Sequence, residues 1–352
     1  MKLFQILTVV MSWFGLYLLW GLHTTPARGD FTFDTPTLVA PECGDPSITT
    51  DGLTLFTAAV GSAYGPGAAI WVHTRETIQD DWGPPVDLGP TVNRLAVGSG
   101  GCPHILADNL TLFFDSVYLG LGSRDIWMTT RPTIDETWSE PVNIGAPINS
   151  PHYDAEVSLS ADGLSLYFGS NRPGGYGDRD IWFAMRETAD SLWSEPRNLG
   201  PLVNTSDYDN SPSHSMDRLV LFFSSTRPGG FGGRDLWMTR RATTEDPWMD
   251  PVNLGPIVNS SSHEMAPCIW SDGSVLYFQS TGGVWQTQLH PLVDFNTDGM
   301  VDAADMCIMV DNWGTDESLC DIGPMPWGDG IVDVQDLIVL AEHLFEEVPL
   351  IE

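Results

Sequence analysis

Short runs of alternating apolar and polar residues recur along the chain at intervals of about 55 residues. Each run follows a turn, in the segments TTDGLTLF (49–56), LADNLTLFF (106–114), SADGLSLYF (160–168), SMDRLVLFF (215–223) and WSDGSVLYF (270–278). An Asp-Gly step with positive φ makes a tight hairpin turn, and the alternation after it predicts a strand. Two copies lack the glycine. Asn109 tolerates positive φ, whereas Arg218 costs about 1 kcal/mol in the same turn.

Two further patterns follow each run. One ends in tryptophan, at Trp71, Trp127, Trp182, Trp237 and Trp285. The other reads W-x-x-P-x-x-(L/I)-G-x-x-(V/I)-N and starts at Trp82, Trp138, Trp193 and Trp248. Each unit therefore predicts four short strands, which is one blade of a β-propeller. We expect these tryptophans to pack in the core, and the Arg-Asp steps at 124–125, 179–180 and 234–235 to tie loops to strands.

The fifth unit lacks the last pattern after Trp285, and a matching segment stands near the start of the chain. In FTFDTPTLV (31–39), Phe33, Pro36 and Val39 occupy the Trp, Pro and Leu positions. The N-terminal strand is therefore predicted to complete the last blade, which leaves no open sheet edge. The expected fold is mainly β, with a five-bladed propeller over 30–290 and a small α-helical module over 291–352.

The third and fourth units carry the most specific form of the repeat, LSADGLSLYFGSNRPGGYGDRDIW (159–182) and HSMDRLVLFFSSTRPGGFGGRDLW (214–237). These segments resemble the WD-type (WD40-like) propeller repeat of TolB-like proteins. The resemblance implies a scaffold that binds proteins or small ligands at its central channel or rim. It does not imply one particular chemistry.

The segment DFNTDGMVDAAD (294–305) has the spacing of a twelve-residue calcium loop, with Gly299 at the sharp turn. Its oxygen donors are Asp294, Asn296, Asp298, the Met300 carbonyl, Asp302 and Asp305. A second copy, 328–345, supplies Asp329, the Ile331 carbonyl, Asp333 and Asp336. Asp321 takes the first position of that copy only if the residues after it bulge outward. The sequence thus predicts one Ca²⁺ ion and leaves a second open.

Two features separate these loops from an EF-hand: an aspartate at position 12, and no helix pattern before the first loop. Two loop-plus-helix copies resemble a type I dockerin over residues 291–347. The resemblance implies that this module docks the chain onto a cohesin-like domain, usually on an extracellular scaffold that handles polysaccharide. Another extracellular protein remains open as the partner.

The first 29 residues have the features of a secretory signal peptide. Lys2 precedes an uncharged stretch, and Ala27 and Gly29 fit a cleavage site,. We therefore expect a secreted, extracellular or cell-surface protein, with no membrane contact after cleavage. An uncleaved anchor is the alternative, because about 20 apolar residues span a bilayer.

Composition narrows the possible partners. The formal net charge of −32 excludes nucleic acid and anionic lipid as partners,. The five cysteines include no C-x-x-C pair, which argues against zinc,. Export allows disulfides, and Cys307 with Cys320 is the expected pair.

Neither a G-x-S-x-G nor an H-E-x-x-H motif occurs in the chain,. Carboxylates just before the inner strands are the remaining ligand-binding candidates: Glu42, Asp154, Glu156, Asp209 and Glu264. If they converge on the channel, they bind a cation or sugar hydroxyls. Asp154, Asp209 and Glu264 are the weak catalytic candidates, as an acid and base pair of the glycosidase type. The alternative is that they are solvated or cap strand ends.

These features together favour a secreted, non-catalytic binding or scaffold protein. In that hypothesis the propeller recognises a protein or glycan, and the calcium module docks it to an extracellular partner, as in polysaccharide breakdown. The alternative is an exported carbohydrate-active enzyme, a glycoside hydrolase or polysaccharide lyase, that uses the channel carboxylates. A third hypothesis is a spacer within an assembly.

Overall fold

The computed structural model describes residues 31–60, 68–95, 101–118, 120–291, 293–296, 300–315, 320, 322 and 331–345. The predicted signal peptide and the loop residues Asp298, Asp321 and Asp329 lie outside these ranges. Within the described ranges, no helix is both long enough and apolar enough to cross a membrane.

The described strands form five antiparallel sheets, which are the five predicted blades. Strands β1 (Phe31–Phe33) and β2 (Thr37–Pro41) precede blade 1, which contains β3 (Gly44–Ile48), β4 (Thr54–Val60), β5 (Ala68–Thr74) and β6 (Val86–Asp87). A four-residue helix, α1 (Pro90–Asn93), follows. Blade 2 contains β7 (His104–Ile105), β8 (Thr111–Ser116), β9 (Asp125–Thr130) and β10 (Val142–Asn143).

The remaining blades follow the same order. Blade 3 contains β11 (Asp154–Leu159), β12 (Ser165–Ser170), β13 (Asp180–Met185) and β14 (Arg197–Asn198). Blade 4 contains β15 (Asp209–His214), β16 (Val220–Ser225), β17 (Asp235–Arg240) and β18 (Val252–Asn253). Blade 5 contains β19 (Met265–Ile269), β20 (Val275–Ser280) and β21 (Gly283–Pro291).

The N-terminal strands close the ring, as predicted. Both β1 and β2 pair with β21, in registers that set Phe31 opposite Pro291 and Thr37 opposite Gln286. Blade 5 therefore takes its outer edge from the opposite end of the propeller sequence, which joins the first and last blades.

The predicted hairpin turns also form. Gly52 and Gly163 have φ of 69° and 67°, and Asn109 and Arg218 adopt the same conformation at 57° and 66°. Tertiary packing therefore keeps the turn even where the side chain disfavours it.

The core lies between neighbouring blades. One cluster combines Phe56 and Ile70 of blade 1 with Leu112 of blade 2, and Trp138 meets Phe56 edge-on. In blades 1 to 4, the arginine after the third strand covers a tryptophan, as Arg131 covers Trp138 at 4.5 Å from guanidinium carbon to ring centroid. The repeated tryptophans are thus part of the packed framework, as expected.

A closed set of hydrogen bonds links the inner strands, and we call it the inter-blade belt. One side chain of each inner strand accepts the backbone N–H of the next inner strand: Ser47 from Ile105, His104 from Leu159, Ser158 from His214, Ser213 from Ile269 and Cys268 from Ile48. The last link connects blade 5 to blade 1, so the belt has no end.

In the described part of the C-terminal region there are two helices, α2 (Ala303–Asp311) and α3 (Val334–Glu342). Each begins with a reciprocal capping box, formed by Asp302 with Asp305 and by Asp333 with Asp336,. The expected disulfide is not formed. All five cysteines lie in the described residues, and none of them is joined to another: Cys307 is exposed, and Cys320 is buried in the apolar cluster of the module.

Candidate functional site

The strand-end carboxylates of blades 3 and 4 are buried and fully hydrogen bonded. Asp154 is 0% exposed, accepts hydrogen bonds from Ser150 and Ser170, and forms an ion pair with Arg172 at 2.6 Å. Asp209 repeats this arrangement with Arg227 at 2.7 Å. Both oxygens of each carboxylate have partners within the protein. These residues therefore tie loops to strands and offer no free oxygen to a ligand.

Two other candidate carboxylates, Glu264 and Glu42, also do not line the channel pocket. Glu264 is 1% exposed and accepts hydrogen bonds from Ser260 and Ser280, in the same arrangement but without an arginine. Glu42 is exposed, and its backbone N–H donates to the Gly282 carbonyl. Of the carboxylates proposed from the sequence, only Glu156 lines the channel.

The channel-facing residues are set by a β-bulge in four of the five inner strands. In blade 3 the register shifts between Ala155 and Ser158, and the equivalent shift occurs in blades 1, 4 and 5. The bulged residues have positive φ, of 48° to 55°. Such a conformation costs a non-glycine residue about 1 kcal/mol, and both bulges and strain of this kind concentrate at functional sites.

We call the resulting set of side chains the mouth ring. It consists of Asp45, Cys102, Glu156, Ser211 and Ala266, one from each blade, and all five line one pocket. The next residues form an apolar ring below it: Pro46, Pro103, Val157, Pro212 and Pro267. This apolar layer separates the polar mouth from the inter-blade belt and lowers the local dielectric, so charges at the mouth interact strongly.

Glu156 is surrounded by hydrogen-bond donors. The Tyr153 hydroxyl donates to its Oε1 at 2.8 Å, and the Ser211 hydroxyl donates to its Oε2. The Arg179 guanidinium lies at 3.9 Å from Oε1. These contacts fix the orientation of the carboxylate and surround it with groups that suit a negative charge.

Asp115 lies beneath the mouth ring in blade 2, at a position filled by Gly169 in blade 3. It is 1% exposed, accepts the Glu156 backbone N–H at 3.3 Å and pairs with Arg124 at 3.1 Å. Burial raises the pKa of Asp115, as does the charge of Glu156, although Arg124 opposes both effects. One buried arginine thus supports a cluster that contains three carboxylates.

The crowding of these groups determines where a proton resides. Burial, followed by the charges of Glu156 and Asp115, raises the pKa of Asp45 to about 7. Burial and the charge of Asp115 also hold the pKa of the Cys102 thiol well above its usual range. At neutral pH, Asp45 is therefore close to half protonated, and Cys102 is a neutral thiol. A carboxylic acid that keeps its proton near pH 7 is suited to general acid catalysis.

Arginine and tyrosine side chains alternate around the mouth ring. Arg179 lies over Tyr153 at 3.7 Å and over Tyr208 at 5.1 Å, and Arg234 lies over Tyr208 at 4.2 Å, each measured from guanidinium carbon to ring centroid. Arg179 also donates to the Tyr208 hydroxyl at 2.9 Å. This stack holds Tyr153 and Arg179 against Glu156 and so preorganises the mouth.

In the predicted calcium loops, the residues that the structure describes draw the two ends of the first loop together. Asp305 is 0% exposed, and its Oδ1 accepts the Phe295 N–H at 2.7 Å while its Oδ2 accepts the Asp302 N–H at 2.9 Å. Asp336 repeats this with Ile322 at 2.6 Å and Asp333 at 2.6 Å.

The equivalence of Phe295 and Ile322 aligns residue 321 with Asp294, the first position of the first loop. Asp294 itself is buried, at 4% exposed. Buried carboxylates and loop oxygens at this spacing are the chemistry that Ca²⁺ takes. Among the described residues, no three His, Cys, Asp or Glu side chains are grouped closely enough to hold a metal ion.

Comparison with known proteins supports the propeller. No protein-family model matches the chain, and no curated protein matches it. The fold is similar to that of an α-L-arabinofuranosidase from Podospora anserina in complex with cellotriose, with a TM-score of 0.50 and 13% identity over 76% of this chain and 98% of that one.

Two further solved structures are similar at lower scores. One is an α-L-arabinofuranosidase from Lactobacillus brevis, with a TM-score of 0.48 and 14% identity over 72% of this chain and 91% of that one. The other is TolB from Acinetobacter baumannii, with a TM-score of 0.40 and 14% identity over 71% of this chain and 55% of that one.

The hypothesis of a non-catalytic binding or scaffold protein is contradicted by the first of these structures, which is described as an α-L-arabinofuranosidase. The alternative, a glycoside hydrolase, agrees better with it. Identity this low shows the fold alone.

Proposed function

We propose that this protein is an exported glycoside hydrolase whose active site is the mouth ring. The observation that carries the proposal is the pair Asp45 and Glu156, which line one pocket. Burial, followed by the charge of Glu156, raises the pKa of Asp45 to about 7. Glycoside hydrolysis needs two carboxyl groups with different protonation states on either side of the scissile bond. The fold is similar to that of an arabinofuranosidase and is therefore compatible with this class of reaction.

Each carboxyl group then has a distinct role. Asp45 retains its proton near neutral pH and donates it to the glycosidic oxygen as the bond to the sugar breaks. Glu156 serves as the second carboxylate, which stabilises positive charge on the sugar ring and receives the proton of the attacking water. Tyr153, Ser211 and Arg179 hold Glu156 in place for this step.

The test is turnover of a panel of 4-nitrophenyl glycosides that includes α-L-arabinofuranoside and β-D-xyloside. Asp45→Asn and Glu156→Gln should each lower kcat/KM by about 10³-fold or more, because each removes one of the two required groups. Activity of the wild-type protein should fall above about pH 7, as Asp45 loses its proton.

The matched control is Glu42→Gln, since Glu42 is an exposed carboxylate just before the same inner strand. It should keep full activity. Equal activity in wild-type, Glu156→Gln and Asp45→Asn would show that the mouth ring is not the active site.

We also propose that residues 291–352 form a calcium-folded module. Calcium would be held in the first loop by Asp294, Asn296, Asp298, Asp302 and Asp305 and by the Met300 carbonyl. In the second loop it would be held by Asp321, Asp329, Asp333 and Asp336 and by the Ile331 carbonyl. The spacing of these oxygen donors supports this, because Ca²⁺ takes oxygen ligands at alternating positions of a tight loop,. The resident ion would stabilise the loops and supply no step of the hydrolysis.

Calorimetric titration of the full-length protein with CaCl₂, after treatment with a chelator, tests this proposal. One or two sites should appear, and Asp305→Ala should remove the first and Asp336→Ala the second. Hydrolysis of small glycosides should survive the loss of both sites. Absence of Ca²⁺ binding in the wild-type protein would overturn the proposal of a calcium-folded module.

We propose further that this module docks the exported enzyme onto an extracellular, cohesin-like partner. Helix α2 and its end carry Val310 and Trp313, 57% and 46% exposed, and α3 carries Val334 and Ile338, each 55% exposed. Exposed apolar side chains grouped on short helices are typical of contact surfaces. A calcium-dependent pull-down with a cohesin domain, weakened in Ile338→Asp, tests this assignment. Secretion is tested by sequencing the N-terminus of the exported chain.

A further inference from the structure

One face of the propeller carries raised loops, and it is the face on which the mouth ring opens. In blade 3, Asp154 pairs with Ser170 and Ser170 with Asp180, so the loop 171–179 leaves the same end at which the inner strand begins. The equivalent loop of blade 4 spans residues 226–234. We call this side the mouth face.

The tips of these loops carry exposed apolar side chains. Tyr176 of blade 3 and Phe231 of blade 4 are each 51% exposed, and Leu121 stands at the same position of blade 2, 57% exposed. Three successive blades therefore repeat one feature that costs solubility and adds nothing to the core. Repetition at one position on one face distinguishes it from scattered surface residues, which need no explanation.

Each tip is held rigidly from below. The Tyr176 N–H donates to Asp180 Oδ2 at 2.6 Å, and the Phe231 N–H donates to Asp235 Oδ2 at 2.5 Å. These are the aspartates of the Arg-Asp steps, which tie loop to strand as the sequence predicts. The tips are therefore presented in a fixed position, and a ligand that binds them loses little additional conformational entropy.

The loops are also braced by the following blade. A Cβ built at Gly177 would lie 2.0 Å from the Asp207 carbonyl oxygen, and one at Gly232 would lie 2.4 Å from that of Ser260. The loop backbone therefore sits directly against the connector of the next blade. Blade 5 has only the turn Thr281–Gly282 at this position. The raised loops therefore stand on the side of the mouth face where Glu156 lies, and blade 5 has none.

We propose that Leu121, Tyr176 and Phe231 bind the sugar rings of a neutral polysaccharide whose terminal or branching sugar enters the mouth ring. This inference rests on the proposed hydrolase function. The C–H faces of sugar rings pack on aromatic and aliphatic side chains, while sugar hydroxyls stay in water. The net charge of −32 repels anionic polymers, so the surface favours a neutral chain,.

The probes are soluble arabinoxylan and linear arabinan, each cast into native affinity gels. The protein carries Glu156→Gln in every lane, so binding is measured without turnover. Tyr176→Ala and Phe231→Ala should each weaken retardation about 3- to 10-fold, as expected for the loss of one aromatic contact. Tyr176→Phe should bind normally, because the ring remains.

The matched control is Leu192→Ala, which removes an 88% exposed leucine from the loop between β13 and β14, on the opposite face. It should not change retardation. The proposal is overturned if neither polymer retards the starting protein, or if Leu192→Ala weakens binding as much as Tyr176→Ala. Two results together support the proposal. Tyr176→Ala loses polymer binding in the Glu156→Gln background, and the single variant Tyr176→Ala, which retains Glu156, hydrolyses small glycosides normally. Failure of the catalytic assignment would show separately, as unchanged turnover in Glu156→Gln.

Discussion

Two sets of carboxylates lie close together near the start of the inner strands and have opposite surroundings. At the strand ends, Asp154 and Asp209 each have an arginine and at least two other donors, and every oxygen is used. At the mouth, Asp45, Asp115 and Glu156 crowd together around Arg124 and Arg179. Asp154 and Glu156 are only two residues apart on β11, yet the first holds the framework together and the second belongs to the proposed active site.

The difference follows from the repeat: some positions hold the same type of residue in most blades (kept positions), and others hold a different residue in each blade (broken positions). The strand-end position is acidic in three blades and always hydrogen bonded. The mouth position holds a different residue in every blade. We expect changes at kept positions to lower stability, and changes at broken positions to alter activity or pH dependence.

The largest effect on stability should come from Asp209→Ala. This change leaves Arg227 buried without its partner, and breaking a buried ion pair costs about 3–5 kcal/mol. Chemical denaturation measures the free energy of unfolding. Glu156→Ala is the control, and it should change stability by less than about 1 kcal/mol because it relieves repulsion with Asp45 and Asp115. Equal losses in the two variants would erase the distinction between the two sets.

A smaller effect should follow from His104→Ala in the inter-blade belt. The change leaves the buried Leu159 N–H without an acceptor, which costs about 1–3 kcal/mol,. His104→Ser restores the residue type found in three other blades and should keep most of the stability. If the serine and alanine variants unfold alike, the belt hydrogen bond contributes nothing.

Asp45 at the mouth and His104 in the inter-blade belt should differ in the sign of their effect on stability as pH changes. Asp45 has a pKa of about 7 in the folded protein, above the usual value for aspartate, so stability falls as pH rises from about 4 to 7,. Asp45→Asn should reduce that slope, by less than about 1.4 kcal/mol per pH unit.

His104 behaves in the opposite way. Burial lowers its pKa to about 3, so stability falls as pH drops from about 6.5 towards 3,. His104→Ser should remove this loss, while Asp45→Asn should leave it unchanged. Denaturation curves of the three proteins across this range provide the measurement, and a common slope would contradict both assignments.

The smallest expected effect on stability is at Arg218, which occupies the turn position held by glycine in blades 1 and 3. Arg218→Gly should stabilise the protein by up to about 1 kcal/mol, because φ of 66° suits glycine,. The loss of the Arg218 hydrogen bond to Ser165 at 2.9 Å offsets part of this gain. Asn109→Gly is the control and should change the melting temperature little. A destabilised Arg218→Gly would mean that the hydrogen bond outweighs the strain.

The repeat made the fold predictable. Period, turn chemistry and the displaced N-terminal strand together indicate five blades and their closure, because each depends on local sequence. The mouth ring was only partly predictable. Glu156 was among the candidates, whereas Asp45, Cys102 and Asp115 were not. The β-bulge that turns Asp45 towards the channel cannot be read from alternation alone.

A usable signal did exist in the alignment of the five units. Position 115 holds aspartate where blades 3 and 4 hold Gly169 and Ser224. A charged residue that replaces small residues at a buried repeat position marks a site that the framework does not require. The strand-end carboxylates Asp154, Asp209 and Glu264 were wrongly chosen as site candidates. They recur from blade to blade because each accepts hydrogen bonds that hold a loop to its strand.

The inter-blade belt also bears on how the chain assembles. Each link is completed only when the next blade is present, and the link from Cys268 to Ile48 needs the first and last blades together. A partly made ring therefore exposes one unpaired acceptor and one unpaired donor at its two ends. Folding should proceed as a single cooperative event limited by a contact between distant parts of the chain, which makes ring closure slow. The same circular arrangement lets new chain ends be placed between any two blades, provided that the former ends are joined.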